Sequence, residues 1–383
     1  MEFDFLEPID TEILELVQGL TSQQLGSKVV FHTKDQFPDL NKINIAVIGV
    51  LESRGSGEKT ENVDLSAIRK ELYTMFPGNW DASIADLGDI LAGNSIEDSY
   101  FALRKVVSNL IKKKIIPIVI CGSQDLTFAL YRAFDELEQM VNLVSIDSKF
   151  DFGKENDEVS ASSYLTKIII DEPNNLFNYC NIGYQTYYNS QEEIDLVEKL
   201  FFDGYRLGEI SNNIALAEPV FRDADVVSLD LNSVKSSDSG NFNTFAPNGF
   251  NGKEICSLSR YSGISDKVSI FGIFNHNNSA QESVLIAQII WYFIEGFHYR
   301  SNEYPFGSRE NYIKYIVPLE EEVLIFHKSD KTDRWWIEIP FISNGNNKLK
   351  RNTLLPCSYD EYLGACNQEL PERWWKAQRK NSI

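Results

Sequence analysis

The chain has 383 residues, 43% of them apolar, and 36 basic against 56 acidic side chains give it a formal charge of −20. That length suits one large domain with an appendage. The charge excludes nucleic acid and anionic membrane as partners, since both are bound through positive patches that release counterions. The N-terminus is acidic where a signal peptide is basic, and no run of about 18 apolar residues occurs, so a cytoplasmic protein without a spanning helix is expected.

In chain order, residues 1–40 form a segment expected to pack on the core that follows it. Short Ile- and Val-rich runs at 43–51, 83–87, 115–121, 143–147, 225–231 and 268–274 have the length and composition of strands buried on both faces. Helical patterns at 64–75, 96–112, 124–138, 191–200 and 281–297 alternate with them. This alternation predicts a mainly parallel sheet covered by helices on both sides, a three-layer α/β/α domain over 41–300. In open sheets of this kind sites form at the carboxyl ends of strands, so the polar residues that follow each strand are the ones to inspect.

From about Ser301 the texture changes. Alternating runs at 312–317, 323–327 and 335–339 predict a small antiparallel element, and 343–347 reads as a loop rich in Asn and Gly. A final helix opens at Ser358, where Glu361 completes a capping box, with Trp374 and Trp375 near its end. Residues 301–383 are thus a C-terminal extension of short strands and a terminal helix. Alternation sends one of Trp335 and Trp336 inward and the other outward. With Trp374 and Trp375 they are candidates for contact with a protein partner, against the alternative that they pin the tail to the main domain. The five cysteines are scattered without a Cys-x-x-Cys pair and read as reduced, mostly buried thiols.

Three strand ends carry the chemistry: Ile120-Cys121-Gly122-Ser123-Gln124-Asp125, Ile146-Asp147-Ser148-Lys149-Phe150-Asp151, and Leu229-Asp230-Leu231-Asn232-Ser233-Val234-Lys235. They put Asp147, Asp151 and Asp230 at the carboxyl ends of neighbouring strands, which is the raw material of a hard-cation site. Taken singly, each aspartate reads as a helix cap or turn former.

The ordered set resembles the ureohydrolase, or arginase, family, whose blocks Gly-Gly-Asp-His-Ser, Asp-Ala-His-x-Asp and Ser-x-Asp-x-Asp-x-x-Asp-Pro each follow a buried strand. Ala67-Ile68-Arg69-Lys70-Glu71-Leu72, followed by Asp86-Leu87-Gly88-Asp89, resembles the family's early segment, and Phe271-Gly272-Ile273-Phe274-Asn275 its late one. The likeness covers about 40–298 and is closer to the formimidoylglutamase and agmatinase branches than to arginases. It implies a two-manganese centre that makes a hydroxide for attack on a linear amidine. It also implies assembly into homo-oligomers.

The departures from the family pattern are specific. Gln124 stands for the first histidine ligand, Lys149 for the second, and Asn232 for an aspartate; the substrate-holding glutamate falls at Gly272. Both private ligands of the second metal are lost, and a protonated lysine has no lone pair to offer. Three converging carboxylates still need neutralising. In one solution the Lys149 ammonium lies among them and no cofactor is bound. In the other, a single Mg2+, Mn2+ or Ca2+ takes Gln124, Asp147, Asp151 and Asp230. The functional expectation is a non-hydrolytic binding or scaffold protein. The alternative is a C–N hydrolase using one metal ion or none, with Asp151 or Asp125 as base and Asp230 positioning the substrate.

Overall fold

Runs of β-branched residues form the middle of the molecule, because such side chains pack well on both faces of a pleated sheet. A computed structural model of the chain describes residues 3–57, 64–137, 139–154, 158–242, 245–303, 310–320, 322–339 and 354–382. Among these residues, β1 (Val30–Phe31), β2 (Ile45–Val50), β3 (Ile84–Ile90), β4 (Ile116–Cys121), β5 (Val141–Ile146), β6 (Leu176–Tyr184), β7 (Asp203–Arg206), β8 (Val226–Asp230) and β9 (Ile270–Phe274) form one nine-stranded sheet. Its order is β1-β3-β2-β4-β9-β8-β5-β6-β7, with every pairing parallel.

Successive side chains of a strand serve opposite cores. Ile45 and Val47 of β2 join one apolar cluster, which includes Ile68, Ile255 and Ile290 from helices on that face. Ala46, Ile48 and Val50 join a second cluster with Leu103, Leu130 and Ile168 from the other face. The three-layer α/β/α expectation holds. Several elements differ from the sequence reading, among them helices Thr11–Gln18, Tyr164–Ile170, Ala217–Asp223 and Gly252–Ile264, which it did not name. Strands β1, β6 and β7 escape it because they are short or carry Asn, Asp and Arg, and the expected helix over 124–138 is the shorter Leu126–Arg132, followed by a 3-10 turn at Asp135–Leu137. Residue 138, its expected end, and the expected loop 343–347 lie outside the described residues.

A second sheet, antiparallel and in sequential order, consists of β10 (Tyr312–Pro318), β11 (Val323–Ser329), β12 (Trp335–Glu338) and β13 (Leu354–Cys357). The capping box at Ser358 and Glu361 forms as expected and opens the helix Tyr359–Cys366. The chain then breaks at Gln368, whose φ is 70°, and Pro371, and a separate helix runs over Glu372–Ser382. Trp374 and Trp375 therefore open a second terminal helix instead of closing the first.

The tryptophans also differ from expectation. Both Trp335 and Trp336 are buried, since the small sheet is covered on both faces. Trp335 stacks on Tyr362 of a terminal helix, with ring centroids 4.4 Å apart. Trp336 lies 4.8 Å under the Arg222 guanidinium, which comes from the main domain's helix Ala217–Asp223. Arg222 also donates to the carbonyls of Trp335 (2.9 Å) and Cys357 (2.8 Å). Trp374 is buried and donates from Nε1 to the Glu338 carbonyl at 2.6 Å, and half-buried Trp375 packs edge-on against Phe201. Trp336 and Trp375 thus meet the main domain, while Trp335 and Trp374 pack inside the extension's own apolar cluster, so none stands out as an exposed partner anchor. The terminal helix is further held by Lys376, 3.4 Å from Asp203 of β7.

Candidate functional site

β4, β9, β8 and β5 lie side by side, so the residues that follow them meet at one edge of the sheet. The β5–β8 register pairs Ile146 with Leu229, which sets Asp147 beside Asp230. The β8–β9 register pairs Asp230 with Phe274, which brings Asn275 alongside. Gln124, Asp147, Asp151 and Asp230 are 1%, 1%, 9% and 6% exposed, respectively. The structure thus brings together the cluster named from the sequence.

Hydrogen bonds define what each group does. Gln124 Nε2 donates to Asp147 Oδ2 at 2.7 Å, and the Lys149 backbone N–H donates to Asp147 Oδ1 at 2.9 Å. Asp230 Oδ1 accepts from the Asn232 N–H at 2.9 Å and from Asn275 Nδ2 at 2.8 Å. The Asp147 and Asp151 carboxyls are close enough to act on each other's ionisation. Asp151 has φ 58°, a left-handed conformation that Asp tolerates better than most residues. The loop bearing it is fixed by Asn189, which accepts from the Phe150 N–H at 2.9 Å and donates to the Ser148 carbonyl at 3.0 Å.

Burial, and then the neighbouring charge, pushes all three carboxyls up: Asp147 well above its ordinary range, Asp151 to about 7 and Asp230 to about 8. Near neutral pH the cluster therefore carries little charge. The Lys149 ammonium does not pair with these carboxyls directly, although its charge favours the ionised forms of Asp151 and Asp230. With its N–H directed inward, the Lys149 side chain emerges on the solvent side, where Nζ sits 5.9 Å over the Tyr188 ring. Among the described residues no ion pair joins Lys149 to these carboxyls, and no three His, Cys, Asp or Glu side chains are grouped to hold a metal ion.

Asp125 stands apart from the cluster. It is fully buried, takes a 2.6 Å bond from the Tyr100 hydroxyl, and packs so close to Gly55 that a Cβ there would meet its carboxyl at 2.1 Å. Burial raises its pKa. Gly272 lies in mid-strand, against Phe274 and Leu130, and does not reach the edge. The edge position of β9 is Asn275, which the sequence reading passed over although it is the first polar residue after a buried strand. The next residue, His276, turns away to bond buried Glu282 through Nδ1 at 2.7 Å.

A nine-stranded parallel sheet in a three-layer fold, with acidic residues gathered at the carboxyl ends of central strands, defines a class of α/β proteins built around an edge site. Residues 43–293 match the family model described as "Arginase family", and the chain belongs to that family. No curated protein matches the chain in a sequence search. Among solved structures it is similar to Trypanosoma cruzi formiminoglutamase with Mn2+ (TM-score 0.62, 18% identity, 69% of this chain and 97% of that one). It is also similar to Bacillus subtilis formimidoylglutamase (0.64, 16%, 74% and 94%). A third likeness is to the agmatine ureohydrolase of Thermoplasma volcanium (0.56, 17%, 74% and 97%).

Proposed function

We propose that this arginase-family chain lacks the two-manganese hydrolytic centre and acts as a non-hydrolytic binding or scaffold protein. The observation that carries the reading is the identity of the groups facing the surviving carboxyls. Asp147 is met by a side-chain N–H of Gln124, at the position of the first histidine ligand, and Asp230 by a side-chain N–H of Asn275, beside a backbone N–H that any residue at position 232 would supply. A metal ion needs lone pairs at those places, and N–H donors supply hydrogens instead. Lys149, at the second histidine position, reaches solvent. The residues therefore do not fit a binuclear ion pair. A single hard cation would require the Gln124 amide to turn over, so that its oxygen and not its nitrogen faced the cluster.

The test combines metal analysis with turnover. Protein purified without chelator is expected to hold far less than one manganese per chain. It is also expected to release neither urea nor formamide from agmatine, arginine or N-formimidoylglutamate. Metal-dependent release of either product would overturn the proposal in favour of a C–N hydrolase. A triple variant carrying Gln124→His, Lys149→His and Asn232→Asp is expected to bind more divalent ion than the parent.

A further inference from the structure

We propose that the outer face of the helix Tyr359–Cys366 docks a basic amphipathic helix of a partner protein. The surface is separate from the edge site, and the proposal stands whether or not that site is hydrolytic. The inner face of this helix is already used: Tyr362 stacks on Trp335, and Ala365 lies in the extension's apolar cluster. Both ends are fixed, the first by the Ser358–Glu361 capping box and the last by the Asn367 N–H, which bonds the Leu363 carbonyl at 3.2 Å.

A surface helix with one face on a core ordinarily turns polar residues to water. Here the outer positions are Tyr359, Leu363 and Cys366, an i, i+4, i+7 stripe of the spacing through which paired helices meet. Tyr359 is 53% and Leu363 40% exposed, and Cys366 is exposed as well.

The charge beside the stripe selects the partner. Between Ser358 and Glu372 the acidic residues are Asp360, Glu361, Glu369 and Glu372, and there is no Lys or Arg. Asp360 lies one turn before Leu363 and flanks it on one side. On the other side the chain folds back, the Glu369 N–H bonding the Gly364 carbonyl at 3.0 Å, and the Glu369 carboxylate comes within 3.1 Å of where a Gly364 Cβ would stand. Among the described residues neither Asp360 nor Glu369 is in an ion pair. Lys328, the cation near Tyr359, is already held by Asp333 at 2.6 Å. The carboxyl end of the helix, at Cys366, adds partial negative charge. An apolar stripe between unpaired carboxylates is matched by an apolar stripe between Lys or Arg side chains. An acidic helix would be repelled, as would a second copy of this chain laid stripe to stripe. The helix lies beyond residue 293, where the family match ends, so the extension brings this surface to the core.

The full-length protein would be titrated calorimetrically with a short amphipathic helical peptide of leucine and lysine. A scrambled peptide of the same composition and a leucine–glutamate counterpart serve as controls. Saturable one-to-one binding is expected, about tenfold tighter than that of the scrambled peptide, with none for the glutamate peptide. Leu363→Ser and Glu369→Lys should each weaken it about fivefold or more, the size of loss that removing an interface anchor brings. Phe242→Ser, at an exposed ring of the main domain, should leave it unchanged. Because Leu363 and Glu369 are exposed, both variants should unfold at the parent midpoint, which keeps the test independent of folding. Absence of saturable binding, equal binding of the scrambled peptide, or an affinity that both variants leave unchanged would each overturn the proposal. So would sedimentation showing a dimer that Leu363→Ser dissolves, since a second copy would then cover the stripe.

Discussion

Asp230 accepts both of its N–H bonds on Oδ1, which leaves Oδ2 as the place for a proton. A carboxyl held at about 8 in the fold binds more protons than the same carboxyl unfolded, at about 3.9, so its contribution to stability falls as pH rises through that interval. Stability measured by urea unfolding is expected to drop between pH 5 and 8.5. Asp230→Asn, whose amide oxygen keeps both N–H bonds, should flatten that slope and gain on the order of 2–4 kcal/mol at pH 8.5. An ion-filled cluster would show the reverse slope, losing stability as acid protonates its ligands. At this scale the sequence was informative about which residues converge and poor about where side chains point. Asp147, Asp230 and Gln124 follow from strand ends alone. The outward course of Lys149 depends on the turn after β5, which depends on Asn181 and Asn189 far along the chain.

Helix Ser66–Thr74 and strand β3 are joined by one buried side chain. Arg69 donates to Asp86 Oδ2 at 2.8 Å and to Asp89 Oδ1 at 2.8 Å, and also reaches the Gly88 carbonyl. Arg69→Met strands two carboxylates without their cation, and a loss of about 3–5 kcal/mol is expected in denaturant unfolding. The residues of this link could be quoted from the sequence, but their pairing could not be inferred from it, because they lie on separate elements. The same limit applies to the strands. β2, β4, β5, β8 and β9 were legible because every residue in them is buried and nearly all are apolar. β6 was not, since its Asn178 and Asn181 look like loop residues until Asp203 and the Lys149 carbonyl are there to bond them. β13 has a Pro at its centre, a choice open to it as an edge strand, and so gave no strand pattern.

For the whole molecule, the main question is how an arginase-family core carries a second sheet. The two are joined by Arg222, whose guanidinium is 5% exposed and spans from Glu218 to two carbonyls of the extension. Arg222→Met is expected to cost about 2–4 kcal/mol, from two hydrogen bonds to a charged group. It should also speed proteolysis within residues 310–382 before the core is cut, which timed digestion and mass spectrometry would reveal. No helix among the described residues is long and apolar enough to cross a membrane.

The clasp has an evolutionary side. A core that has placed a buried arginine to receive carbonyls from downstream can no longer shed that downstream segment by a simple stop codon, because the arginine would be left short of acceptors in an apolar surface. The appended sheet is in this sense entrenched. Its loss would need compensating changes in the core, starting with Arg222 itself.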